Sequence, residues 1–350
     1  LIFLSKILIL INILNFDFIY LSFTFLKIII ITSSLQAIYS IYFRRNLKKK
    51  INLCFLGSKD SYKKVIKISD FENLEINIIF NKEINKNNLF KGYIVENIKS
   101  VSDQDKENIL LESIKGKKIY NLIDWYEEFL NRIPSEIISS ADLLNIDFSS
   151  KVDSFQMRLK RIGDLFFSLV ILIFASPILI IASIIIYFED EGPIFYSQIR
   201  TGLMNKEIRI IKLRTMKIDA EKNGPQWSSN NDLRVTNIGK ILRKYRIDEI
   251  PQLVSVLKGD MSLIGPRPER PEIDLQLAEE ITNYNFKYLS KPGLSGWAQV
   301  NYPYGASISD TKMKFSYDIY YIKNFSTLFD FLILLETIRL VFNFRGSHPK

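Results

Sequence analysis

At 350 residues the chain exceeds the usual size of one compact domain, which favours two folded units plus connecting or membrane segments. Hydrophobic residues make up 47% beside 24% charged ones, so disorder is excluded and apolar blocks set in a charged background are expected. One histidine and one cysteine, Cys54, exclude an intrachain disulfide, a His/Cys zinc cluster and a CxxC redox site, leaving oxygen ligands for any metal. The balance of 47 Lys+Arg against 38 Asp+Glu gives +9, which suits an anionic partner: nucleic acid, a lipid headgroup or a phosphorylated substrate.

Residues 1–43 hold only three charged side chains, Lys6, Asp17 and Lys27, and predict one or two transmembrane helices. Five basic residues follow within Arg44–Lys50, and the positive-inside rule then places what comes next in the cytoplasm. From 44 to 150 the texture is that of a small α/β domain and linker. Ile51–Leu56 reads as a strand meeting a turn at Gly57, with further strands at Ile76–Phe80, Tyr93–Val95 and Lys118–Leu122. This is half of a nucleotide-binding pattern, but Gly57 stands outside any GxGxxG, so the domain reads as degenerate, with a regulatory or scaffolding role. Asp124-Trp125-Tyr126-Glu127-Glu128 near its end reads as a solvated acidic helix face.

Between Asp164 and Glu189 lie 24 residues without a charge, long enough to cross a bilayer, yet Ser176-Pro177 sits at the middle. Proline deletes a backbone hydrogen bond, and the serine hydroxyl can cap a carbonyl that the break frees. A kinked transmembrane helix and a re-entrant helix are both compatible with that composition. Arg158, Lys160 and Arg161 before the block and the basic chain after it put positive charge on both sides, which favours re-entry over about 165–188.

Residues 191–270 hold 15 Lys+Arg against 9 Asp+Glu, so a surplus of 6 follows directly after the membrane block. Within them, Arg243-Lys244-Tyr245-Arg246-Ile247-Asp248-Glu249-Ile250-Pro251 sets two adjacent carboxylates among basic residues. Neighbouring side chains point about 100° apart on a helix, so the two can divide labour: one binds a divalent cation while the other attacks phosphorus. Nearby cations would keep that carboxylate ionised and stabilise charge on the transferring group.

Asp248-Glu249 within Arg-Ile-Asp-Glu-Ile-Pro-Gln-Leu resembles the bacterial sugar transferase family, the monotopic polyprenyl-phosphate phosphoglycosyl transferases. Lys212-Leu213-Arg214-Thr215-Met216 upstream, and Met261–Glu269, Lys291–Val300 and Tyr317–Ile322 downstream, extend the likeness over residues 157–345. The N-terminal spans and the α/β domain resemble the longer, exopolysaccharide-initiating members. Tyr302-Pro303-Tyr304-Gly305-Ala306-Ser307 is similar to the exosortase-associated branch. The fold class implied is a membrane-associated α/β protein. It joins N-terminal transmembrane helices, a degenerate nucleotide-binding-like α/β domain, and a C-terminal monotopic phosphoglycosyl transferase domain with a re-entrant membrane helix.

Position by position, the resemblance implies that Asp248 is the nucleophile of a phosphosugar-enzyme intermediate and Glu249 the ligand of Mg²⁺. It makes Ser176-Pro177 the break of the re-entrant helix, with Lys160 and Arg161 at its cytoplasmic mouth, and sets Arg267 of Pro266-Arg267-Pro268 against substrate phosphate. Lys212, Arg214 and Arg246 join the substrate-binding set on motif position alone. The implied reaction moves a sugar 1-phosphate from a UDP-sugar to undecaprenyl phosphate at the cytoplasmic face of the inner membrane, releasing UMP. Membrane lipid is a further partner, nucleic acid is not, and homo-oligomer formation is left open. The competing expectation is a non-catalytic membrane scaffold or regulator of polysaccharide assembly.

Overall fold

The computed structural model describes residues 51–72, 74, 76–80, 90–98, 101–135, 138, 155–220, 232–302, 305 and 307–342. The transmembrane helices expected in 1–43 and the basic run Arg44–Lys50 lie outside the described residues. The chain divides into two units, Leu1–Leu122 and Ile123–Lys350.

In the first unit β1 (Ile51–Leu56), β2 (Ile76–Phe80), β3 (Gly92–Val95) and β4 (Lys118–Asn121) form a parallel sheet in the order β2-β1-β3-β4. Leu53–Leu56 is an unbroken apolar run and is buried throughout, as a strand covered on both faces requires. Helices α1 (Lys59–Phe71) and α2 (Asp103–Ile114) begin after Ser58 and Ser102, whose hydroxyls accept from the amides of Ser61 and Asp105. Glu96, directly after β3, accepts from the Ser58 amide at 2.6 Å and from the Ser61 hydroxyl. The amide at the head of α1 is therefore taken by the chain's own carboxylate. Cys54 is fully buried, and burial pushes its thiol up to about 12, which marks it as packing rather than a reactive group.

The second unit begins within α3 (Leu122–Leu130) and continues with α4 (Phe155–Asp190) and the antiparallel hairpin β5 (Phe195–Thr201) and β6 (Glu207–Leu213). There follow α5 (Asn237–Lys244), α6 (Leu253–Lys258), β7 (Ser262–Ile264), α7 (Pro271–Glu280), β8 (Gly293–Ser295), α8 (Trp297–Asn301), α9 (Ile308–Lys323) and α10 (Thr327–Phe342). β7 and β8 pair in parallel, Ser262 with Gly293 and Ile264 with Ser295. One core joins Ile210 of β6, Val256 of α6, Tyr321 of α9 and Ile333 of α10. A second joins Ile133 to Leu277, Phe315 and Ile319, so the segment after α3 packs into this unit. Nor is the acidic face of α3 merely solvated. Trp125 and Tyr126 are wholly buried, and Glu127 accepts from Lys323 at 2.6 Å and from Asn324 at 3.0 Å.

Helix α4 is 36 residues long, and its most apolar window is only 17% buried. Phe166, Phe174, Ile180 and Phe188 stand exposed along it, a surface that water would not tolerate and lipid would cover. The helix continues through Pro177 rather than being interrupted there. A proline has no N–H for the carbonyl four residues back, here Ile173, and the Ser176 hydroxyl donates to that same carbonyl at 2.8 Å. Both ends of α4 are fastened to the second unit. At the first end Lys160 donates to the Ile264 carbonyl at 2.8 Å and to Asp330 at 2.6 Å, while Asp164 accepts from the Leu263 amide at 3.0 Å. At the far end Asp190 pairs with Arg214, the residue directly after β6, and Glu189 accepts from the Ile238 amide at 3.3 Å.

Candidate active site

The dyad sits where local sequence forces a sharp change of direction. Helix α5 is capped by Thr236, and its Gly239 lies against the Thr215 carbonyl so closely that any Cβ would collide, which draws α5 onto the end of β6. After α5, Arg246 adopts a left-handed conformation, φ 55°, and starts a 3₁₀ turn, Ile247–Gln252, that buries Asp248 and Glu249. Pro251 lies inside that turn, and α6 follows directly. Gly265-Pro266-Arg267-Pro268 leaves β7 as a stiff loop, its Pro266 carbonyl accepting from the Gly293 amide at 2.9 Å.

These elements bring three cations onto one carboxylate. Arg267 Nη2 reaches Glu249 Oε1 at 2.5 Å, Lys212 Nζ the same oxygen at 3.2 Å, and Arg246 Nη1 the Oε2 at 3.3 Å. Burial alone would raise Glu249, but Arg267, Lys212 and Arg246 override it and hold the carboxyl well below the usual range. Asp248 is different. Burial first, and the Glu249 charge second, push it up to about 6, while Lys212, Arg243 and Arg267 pull the other way. Two adjacent carboxylates are thus split into a locked anion and a group poised near neutrality, the separation expected of divided roles. Burial lowers Lys212 in turn.

Both carboxylates line a cavity of about 520 Å³, and Lys212, Arg214, Arg246 and Arg267 line it with them. Arg214 is buried, and its Nη1 has no hydrogen-bond partner among the described residues, beside its pair with Asp190. Lys160 and Arg161 do not line the cavity. Lys160 is buried with Asp330 and Tyr321, and Arg161 donates to the carbonyls of Val256 and Leu257 at the end of α6, at 2.6 and 2.8 Å. Ser176 lines a separate apolar groove on α4 that ends at Phe195, a residue shared with the main cavity. Pro177 lies in α4 beside it.

Sequence reasoning did not single out Arg200, Glu269, Lys287, Lys314 or Asp318, all of which line the cavity. They come from four separate stretches of the chain, with only Lys314 and Asp318 sharing an element, so the folded chain brings them together. Thr311, Lys314, Phe315 and Asp318 do share helical spacing, one face of α9, which is a recoverable signal.

The sequence model described as "bacterial sugar transferase" matches residues 155–344, more than half of the chain, and the chain belongs to that family. It is similar to a UDP-N-acetylgalactosamine-undecaprenyl-phosphate N-acetylgalactosaminephosphotransferase of Aeromonas hydrophila, 43% identical over 189 residues, covering 54% of this chain and 45% of the relative. A UDP-glucose:undecaprenyl-phosphate glucose-1-phosphate transferase of Klebsiella pneumoniae is 35% identical over 193 residues, 55% of this chain and 42% of the relative. An uncharacterized sugar transferase of Haemophilus influenzae is 28% identical over 322 residues, 87% of this chain and 62% of the relative. The chain spans less than half the length of the Aeromonas and Klebsiella relatives.

Proposed function

We propose that this protein transfers a sugar 1-phosphate from a UDP-sugar to undecaprenyl phosphate in two displacements at Asp248, giving the first lipid-diphosphate-linked sugar of an exopolysaccharide. The observation that carries the reading is Asp248 itself: a buried carboxylate raised to about 6, lining a cavity with Lys212, Arg246 and Arg267, beside a helix fit for lipid.

In the first displacement an Asp248 oxygen attacks the sugar-bearing phosphorus. The bond from that phosphorus to the bridging oxygen breaks, and UMP leaves with the electron pair. In the second, an oxygen of the lipid phosphate attacks the same phosphorus, the aspartyl–phosphorus bond breaks, and Asp248 returns as a carboxylate. Arg267 and Lys212 are placed to bind phosphate oxygens and to offset negative charge that develops there. Glu249, held ionised, keeps those cations aligned.

Mg²⁺ fits this donor set in one mode. Among the described residues no three acidic, His or Cys side chains converge. Glu249 would hold the ion in exchange for one of the cations that now contact it. When bound, it supplies positive charge to the diphosphate.

Re-entry of α4 at the cytoplasmic face of the inner membrane is part of the same reading. From Asp164 to Asp190 a straight helix would run about 39 Å, more than the roughly 30 Å of hydrocarbon. Crossing would put its ends on opposite faces, yet Asp164 binds Leu263 and Asp190 binds Arg214, both in the catalytic unit. Incubating the membrane-bound protein with a panel of UDP-sugars and undecaprenyl phosphate tests the reading. UMP release together with a chloroform-soluble sugar product is expected from at least one donor, and neither from any donor would refute it.

A further inference from the structure

Away from the dyad, the cavity ends in a group that the proposed chemistry does not use. Asp318 of α9 is only 5% exposed, lines the cavity, and accepts no hydrogen bond from any described residue. A carboxylate offers about four acceptor positions, which a ligand entering the cavity can use. Two buried or half-buried lysines face it. Lys287 donates to the Tyr284 hydroxyl at 2.9 Å and Lys314 to the Gly305 carbonyl at 2.9 Å, so neither is spent on Asp318. Gln299 lines the same cavity, and its Oε1 is buried without a partner among the described residues. Burial pushes Asp318 up to about 7, against the pull of Lys287 and Lys314, so the group is not simply neutralised by an ion pair.

The chemistry of this end differs from the dyad's. Around Glu249, cations touch the carboxylate directly and suit phosphate. At Asp318, Lys287 and Lys314 act at a distance, and the carboxylate's acceptors take no donor among the described residues. What satisfies them is a neutral, donor-rich group, and a hydroxyl can donate to the carboxylate while its oxygen accepts from Lys314. A uracil ring suits the place poorly, since its one N–H lies between two carbonyl oxygens. Arg267 and Glu269 connect the two ends: the charge of Arg267 acts on Asp248 and on Lys314, and that of Glu269 on Lys314 and Asp318. One ligand can therefore place its diphosphate at the dyad and its hydroxyls at Asp318.

Resting on the reading that the donor is a sugar nucleotide, we infer that Asp318 and Lys314 form a hydroxyl-recognising subsite that selects the donor. Two parts of such a donor carry hydroxyls, the transferred sugar and the ribose, and the test separates them. The full chain in detergent, carrying Asp248→Asn to prevent turnover, is titrated with UDP-N-acetylgalactosamine, UDP-glucose and UMP in the presence of Mg²⁺. Adding Asp318→Asn should weaken the best UDP-sugar about tenfold or more, the scale of a lost hydrogen bond to a charged group. A sugar contact leaves UMP binding unchanged, whereas a ribose contact weakens UMP by the same factor; either supports the subsite. Lys314→Met, at a half-buried position, provides a second variant should Asp318→Asn misfold, with the same expected direction. UDP-sugar affinity within twofold of the parent in folded variants would overturn the subsite alone. No binding of any probe by the protein without the Asp318 or Lys314 substitution would overturn the subsite together with the donor reading.

Discussion

Arg267 Nη2 stands 2.5 Å from Glu249 Oε1, with Lys212 on the same oxygen at 3.2 Å, while the adjacent Asp248 has no such clamp and is lifted by burial. That asymmetry separates two neighbouring carboxylates of nearly the same intrinsic acidity. It also makes the acid side of the activity profile a direct report on Asp248.

In the proposed reaction Asp248 attacks as a carboxylate, and its carboxyl is raised to about 6, so kcat/KM should fall as pH drops below about 6, approaching tenfold per pH unit. Arg267 is among the charges that pull Asp248 down. Arg267→Met should therefore move the acid limb to higher pH, and Arg267→Lys should leave it close to its original place. A limb that stays put in the Met variant would remove Arg267 from the electrostatics of the dyad.

Lys160 and Asp330 form a buried pair, with side chains 7% and 12% exposed. Lys160→Met leaves the Asp330 charge buried without its cation and should cost about 3 kcal/mol of stability in denaturant unfolding. Replacing both, Lys160→Met with Asp330→Leu, should recover most of the loss. A single variant as stable as the parent would show that the pair does not anchor α4.

How far the sequence reached is clear from this pair. Asp248, Glu249 and Arg246 lie within a few residues of one another, so their meeting was legible as a string, and the basic surplus around them was legible as composition. The resemblance sets Lys160 at the cytoplasmic mouth of the re-entrant helix, whereas the fold spends it on Asp330, 170 residues away, a pairing that no local pattern encodes. Asp318 lies inside Tyr317–Ile322, a stretch that carries only the family likeness, and its place beside Lys314 on the cavity-facing side of α9 emerges in the folded chain. At Ser176-Pro177 the hydroxyl donates to the Ile173 carbonyl, and the helix runs on through the step instead of being interrupted.

The packing of Ile133, Trp125 and Glu127 makes a claim about where the catalytic unit starts. A chain beginning at Ile123 should fold with the full stability of that unit. One beginning at Val152 loses the buried Ile133 and the Asn131 carbonyl that accepts from Trp297 Nε1 at 2.8 Å, and its thermal midpoint should drop by several degrees. Equal midpoints would mean that residues 123–138 only decorate the unit.

For α4, single cysteines replacing Phe155 and Glu191, both exposed, are introduced in a Cys54→Ser background. A membrane-impermeant thiol reagent applied to intact cells should leave both unmodified, and both should react after the inner face is opened. Modification of one from outside and the other from inside would establish a spanning helix.

The claim on which the chemistry rests is that Asp248 carries the sugar phosphate between donor and lipid. Incubating the protein with its UDP-sugar and Mg²⁺ in the absence of undecaprenyl phosphate, then quenching and digesting it, allows the adduct to be placed by peptide mass spectrometry. The account predicts one sugar-phosphate mass on the peptide containing Asp248, lost in Asp248→Asn and discharged when undecaprenyl phosphate is added. An adduct on another residue, or turnover without any adduct and with single-displacement kinetics, would contradict it.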